Sequence, residues 1–82
     1  MVIISFSPAF QNYFSKIKDK GTKEKIIKQI KKIRENPEIG KPMKYLRKGT
    51  REVYIKPYRL SYEYDPLNNK VILLDLYHKD KQ

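Results

Sequence analysis

Two runs of alternating residues joined by a polar turn constrain this chain more than any other feature. The first reads Lys56-Pro57-Tyr58-Arg59-Leu60-Ser61-Tyr62-Glu63-Tyr64 and the second Val71-Ile72-Leu73-Leu74-Asp75-Leu76-Tyr77-His78-Lys79. A period of two sends successive side chains to opposite faces of a sheet. Between the runs, Asp65-Pro66-Leu67-Asn68-Asn69 has the composition of a hairpin loop. Just before them, Val53 and Ile55 alternate with Glu52, Tyr54 and Lys56, which predicts a further strand. The last run is the most apolar and is expected to lie centrally.

The N-terminal half has a different period. Val2 to Phe6 is β-branched and apolar and reads as a short first strand. Ser7-Pro8 reads as an N-cap followed by proline at the first helical position, where a missing N–H costs nothing. Phe10, Tyr13, Phe14 and Ile17 then fall on one helical face, and Gly21 is expected to end that helix. Thr22 is expected to cap a second helix with the stripe Ile26, Ile27, Ile30 and Ile33 and a lysine-rich opposite face, stopped by Asn36-Pro37. Glu38 to Lys44 reads as a loop, and Tyr45-Leu46-Arg47 as a short edge segment.

The predicted order is β-α-α-β-β-β, an α+β fold: an antiparallel sheet with a two-helix hairpin packed on one face, forming a single domain over residues 1–82. The other face of the sheet is then open. Strand parity assigns to it Arg59, Ser61 and Glu63, then Asp75, Tyr77 and Lys79, then Glu52, Tyr54 and Lys56. Leu60, Tyr62 and Tyr64 are expected against the helices, together with Ile72, Leu74, Leu76, Val53 and Ile55.

Charge indicates what such a face would meet. Nineteen Lys and Arg against nine Asp and Glu give a net charge of +10. An excess of this size favours polyanions: nucleic acid, the ribosome, an acidic membrane surface or an acidic partner protein. A lysine-rich solvated surface of the kind found in heat-adapted proteins is the alternative, although the carboxylates are too few to pair most of the lysines. With no cysteine, disulfides and thiolate metal sites are excluded, which fits a reducing cytoplasm. Met1 to Phe6 is too short for a signal peptide, and no apolar run approaches the roughly 18 residues of a membrane span.

Arg59 stands out because its planar fork of donors suits a phosphate at any working pH; a cross-strand pair with Glu63, Glu52 or Asp75 is the alternative. His78 is the only histidine and the natural general acid or base near neutral pH. Strict parity puts it on the helix side, while its place near the chain end leaves the register open. Among seven tyrosines, Tyr62 and Tyr64 are expected in the core, whereas Tyr54, Tyr58 and Tyr77 have the chemistry to stack bases. One histidine without cysteines makes no usual zinc site, and there is no glycine-rich phosphate loop. No metal or other cofactor is expected.

This order and several motifs resemble the RelE/ParE superfamily of toxins from bacterial and archaeal toxin–antitoxin pairs. The matching segments are Asn36-Pro37 with Gly40-Lys41-Pro42, Leu46-Arg47-Lys48-Gly49, Tyr58-Arg59-Leu60-Ser61-Tyr62-Glu63-Tyr64 and Tyr77-His78-Lys79. They span nearly the whole chain, and the tyrosine-arginine strand with its spacing to His78-Lys79 is the specific part. The resemblance implies a RelE-like, metal-independent ribonuclease acting on mRNA in the ribosome. In such an enzyme a ribose 2′-OH attacks the adjacent phosphate and translation stops. By that likeness Arg59 is the transition-state stabiliser, Lys79 a second cation and His78 the acid or base. Lys56, Tyr54, Tyr77, Arg51 and Lys48 form the RNA-binding set. The implied partner is an acidic, RelB-like antitoxin that masks the basic surface in a hetero-oligomer. The sequence departs from the family where paired basic residues are replaced by Glu52 and Tyr54 and an arginine by Lys79. A ParE-like gyrase poison or a binding-only toxin homologue is therefore the competing implication.

Overall fold

The structure, a computed structural model, describes residues 1–43 and 49–81. Its elements are β1 (Ile3–Phe6), α1 (Pro8–Lys16), α2 (Lys20–Glu35), β2 (Lys41–Pro42), β3 (Thr50–Ile55), β4 (Tyr58–Asp65), β5 (Lys70–His78) and a closing 3₁₀ turn, Lys79–Lys81. The five strands form one sheet in the order β1-β5-β4-β3-β2.

Local chemistry explains where the helices begin. Ser7 caps α1: its hydroxyl accepts from Phe10 N at 3.1 Å, and Pro8 occupies the first turn. The same hydroxyl donates to the carbonyl of Leu74 at 2.6 Å, tying the start of α1 to β5. α1 ends earlier than expected, at Lys16, and Gly21 lies inside α2 rather than after α1. Asp19, not Thr22, is the cap of α2. Its carboxylate accepts from Thr22 N at 3.1 Å, and the Thr22 hydrogen bonds hold its carboxyl below the usual range. A carboxylate three residues ahead of the receiving N–H satisfies that donor and complements the helix dipole, so it displaces the threonine.

The sheet is mixed where an antiparallel one was expected. β1 runs parallel to β5, from Ile3 opposite Lys70 to Phe6 opposite Leu73, and the other pairings are antiparallel. Alternation along a strand carries no information about its direction, so parity alone could not show this. The expected 38–44 loop also contains β2, which pairs with Glu52 and Arg51 of β3. The Tyr45-Leu46-Arg47 segment lies outside the described residues.

Both helices cover one face of the sheet. Ile26, Ile33, Leu60, Tyr62, Val71, Leu73 and Leu76 are completely buried there, with Phe10 of α1 and Ile17 just after it sealing one side. Register explains an error of parity in β5. A bulge falls at Ser61/Tyr62, where Ser61 faces Asp75 but Tyr62 faces Leu73. The extra residue in β5 reverses its alternation. Val71 and Leu73, not Ile72 and Leu74, therefore point into the core, while Leu76 regains its expected side. Tyr64, expected in the core, is half-buried and packs against its edge.

Two further contacts shape the edge next to β3. The buried Tyr62 hydroxyl accepts from Gly40 N at 2.9 Å and donates to Pro37 O at 2.7 Å. A Cβ at Gly40 would lie 2.7 Å from that hydroxyl, so the approach requires glycine. Arg51 donates to the carbonyls of Glu38 at 3.0 Å and Gly40 at 2.7 Å, clamping the same loop.

Candidate nucleic-acid interface

Register brings three strands' polar side chains together on the open face. Tyr54 of β3 faces Arg59 of β4, and Arg59 faces Tyr77 of β5. Glu52 lies one step of the same parity from Tyr54, on the same face. Arg59 Nη1 donates to Glu52 Oε1 at 2.8 Å, and the Tyr77 hydroxyl donates to Glu52 Oε2. Of the three carboxylates considered for Arg59, Glu52 is thus the one it pairs with. The pair is two-thirds or more shielded, with side-chain exposures of 34% for Arg59 and 18% for Glu52. Arg59 Nε is buried and makes no hydrogen bond.

Above this network sits Tyr54, 52% exposed, with the Arg59 guanidinium carbon 5.8 Å and Lys79 Nζ 5.9 Å from its ring centroid. Lys79 is placed by its backbone N–H, which donates to Pro57 O at 2.9 Å. Lys56 is exposed in the β3–β4 turn. The arrangement offers a flat aromatic surface flanked by two cations, which suits a stacked base with its phosphates. Tyr77 is at the rim of the shielded network. Burial, then its bond to Glu52 and the Glu52 charge, pushes its phenol up to about 12, so it remains a neutral donor at ordinary pH.

The remaining expected site residues are elsewhere. His78 keeps its strict parity to the strand end and stands on the helix side. Its ring meets Tyr58 edge-on at 5.6 Å, and Tyr58 meets Tyr13 at 6.0 Å. Its Nδ1 accepts from Asp80 N at 3.2 Å. The sheet therefore separates His78 from Arg59, although their strands are paired. Arg51 shares the parity of Val53 and Ile55, and its guanidinium is occupied by the 38–40 loop rather than presented beside Arg59. Lys48 lies outside the described residues.

Sequence reasoning named Glu52 among the possible partners of Arg59 but missed its bond to Tyr77. Parity placed it on the open face, and the signal available was its short step from Tyr54, opposite Arg59. That it also holds Tyr77, two strands away, follows only from the pairing of β4 with β5. Among the described residues, no group of three or more His, Cys, Asp or Glu side chains is arranged to hold a metal ion. No helix among them is long and apolar enough to cross a membrane.

Residues 4–82 match the family described as ParE toxin of type II toxin-antitoxin system, parDE. The chain belongs to this RelE/ParE family of type II toxins. Its fold is similar to that of the isolated Escherichia coli RelE toxin, with a TM-score of 0.84 at 14% identity, over 100% of this chain and 88% of that one. It is similar also to the intact E. coli RelBE toxin-antitoxin complex, with a TM-score of 0.82 at 15% identity over 95% and 96% of the two chains. The archaeal RelE-RelB complex from Pyrococcus horikoshii gives 0.80 at 11% identity, over 99% and 98%. No curated protein matches the sequence significantly.

Proposed function

We propose that this toxin is a ribosome-dependent, metal-independent mRNA endoribonuclease of the RelE type, acting in the cytoplasm to stop translation. The observation that carries the reading is the exposed Tyr54 ring flanked by Arg59 and Lys79 on the sheet face opposite α1 and α2. In this reading a base stacks on Tyr54, and Lys56 and Lys79 hold the backbone phosphates. Arg59 meets the phosphate under attack by the neighbouring 2′-OH, and charge builds on the phosphoryl oxygens as the 2′,3′-cyclic product forms. A fixed guanidinium aimed at developing charge is the kind of group whose loss typically costs about 10²–10³-fold in rate. His78, on the helix side of the sheet, does not meet that phosphate in this geometry, so the step assigns it no role. The fold's likeness to RelE toxins solved alone and with RelB supports both the activity and an antitoxin partner. An acidic, RelB-like antitoxin would neutralise a chain of net charge +10 in a hetero-oligomer.

Primer extension on mRNA in programmed ribosomes, with Arg59→Ala beside the unsubstituted protein, tests the reading. Cuts at A-site codons that fall at least a hundredfold in the folded variant are expected. Undiminished cutting by Arg59→Ala would remove Arg59 from the mechanism.

A second reading has its own support. The matching family takes its description from parDE, and the structure pairs Arg59 with Glu52 and sets His78 on the other face. A toxin acting by binding alone, as a gyrase poison, needs no aligned acid and base. Inhibition of gyrase supercoiling by the purified protein, with no RNA cut, would establish it.

A further inference from the structure

We infer that Glu52 is a built-in anion that occupies Arg59 in place of a phosphate, so that a phosphate chain gains the guanidinium only by displacing the carboxylate. The inference rests on the nucleic-acid reading for its natural ligand, but the displacement itself concerns any phosphate chain.

Three observations carry it. Glu52 Oε1 sits 2.8 Å from Arg59 Nη1, the distance of a charge-assisted hydrogen bond, where a phosphoryl oxygen would sit. Glu52 is itself held in that position by Tyr77 on the far side of the guanidinium. The bridge thus spans β3, β4 and β5, as a bound anion would. Finally, Arg59 Nε remains buried without a hydrogen bond, so the carboxylate satisfies the fork incompletely. A phosphodiester, with both of its non-bridging oxygens to offer, is better matched to a fork of donors than the one Glu52 oxygen left to Arg59 once Tyr77 holds the other.

The consequence is a threshold. Chance contact with free RNA meets the outer cations Lys56 and Lys79 and the Tyr54 ring, and leaves the bridge in place. Only a ligand held firmly against this face, with a phosphate at Arg59, replaces Glu52 and reaches the arginine. Glu52 thereby acts as a specificity-determining residue, weakening the protein's grip on arbitrary polyanions.

The test measures binding of two probes, a fluorescent single-stranded RNA 12-mer and inorganic tripolyphosphate, to the unsubstituted protein, Glu52→Gln, Arg59→Ala and the double variant. Glu52→Gln preserves shape and can still accept from Tyr77. It should bind both probes about fivefold more tightly, the upper range for releasing a partly exposed ion pair. Its RNA affinity should fall more steeply with salt, by about 0.7 in the logarithmic slope, as for one added phosphate contact. The double variant should bind no better than Arg59→Ala. Glu52→Asp, which keeps the charge but is too short to bridge both partners, should show part of the gain and guards against misfolding of the glutamine variant. Unchanged or weaker binding by folded Glu52→Gln overturns the inference. So does an equal gain in the Arg59→Ala background, which would reflect charge in general. If RNA fails to bind any variant while tripolyphosphate shows the Arg59-dependent gain, the nucleic-acid reading falls and the displacement stands.

Discussion

Removing one oxygen from Tyr62 tests how the edge of the sheet beside β3 is built. The Tyr62 hydroxyl bridges two backbone groups, Gly40 N–H and Pro37 C=O, and the ring is completely buried. Tyr62→Phe leaves the ring packing intact and opens no sizeable cavity. Its cost is therefore that of two stranded polar groups, each about 1–3 kcal/mol if water cannot reach it. Gly40 is buried and Pro37 only half-buried, so water repays part of the second loss. A total of about 2–3 kcal/mol is expected. With an unfolding entropy of about 2.1 cal/mol/K per residue, a chain of this length loses about 5–6 °C in Tm for each kcal/mol. Thermal unfolding followed by circular dichroism should accordingly show a drop of about 10–18 °C. A drop under about 4 °C would mean that the loop relaxes or hydrates at no cost and that the hydroxyl does not hold it. Gly40→Ala offers a coupled check. Its new methyl would lie 2.7 Å from the hydroxyl and 2.9 Å from ring carbon Cε1. It should destabilise alone, and the two substitutions together should cost less than their sum, because deleting the hydroxyl relieves the closer of these contacts.

Two other predictions concern single side chains. Ser7→Ala removes the α1 cap and the donor to Leu74 O at the β5 bulge, so it should cost about 1–2 kcal/mol in urea denaturation; a loss below about 0.5 kcal/mol would mean that water replaces both bonds. Tyr77 is neutral when protonated and its folded pKa, about 12, lies above the unfolded value of 10.0, so its contribution is complete below pH 10 and is lost as pH rises through 12. The stability advantage of the unsubstituted protein over Tyr77→Phe should therefore shrink between about pH 10 and pH 12, and a constant advantage would show that burial and the Glu52 contact do not raise the phenol.

Much of the fold was legible because each element carries its own period. The Phe10, Tyr13, Phe14 stripe and the isoleucine stripe of α2 needed only local geometry to be read, and so did the Ser7 cap. Element order followed, and with it the helix hairpin over one face. The helix boundary near Gly21 is not fixed by local spacing, because Asp19 and Thr22 both can cap within four positions and the structure uses the stronger acceptor, Asp19. In the site, parity correctly grouped Glu52, Tyr54, Arg59 and Tyr77. It failed for Ile72 and Leu74, since one extra residue in a strand reverses every face beyond it.

Local spacing and composition set the helices, the alternating strands, the open polar face and the excess of positive charge. All of these depend on spacing along one segment and on composition. Tertiary structure alone decided that β1 runs parallel to β5, that a bulge faces Ser61 and Tyr62, that His78 lies across the sheet from Arg59, and that Glu52 joins Arg59 to Tyr77. These depend on which strands meet and in which register. That is settled by burying the side chains of distant segments together, and no single segment contains the information.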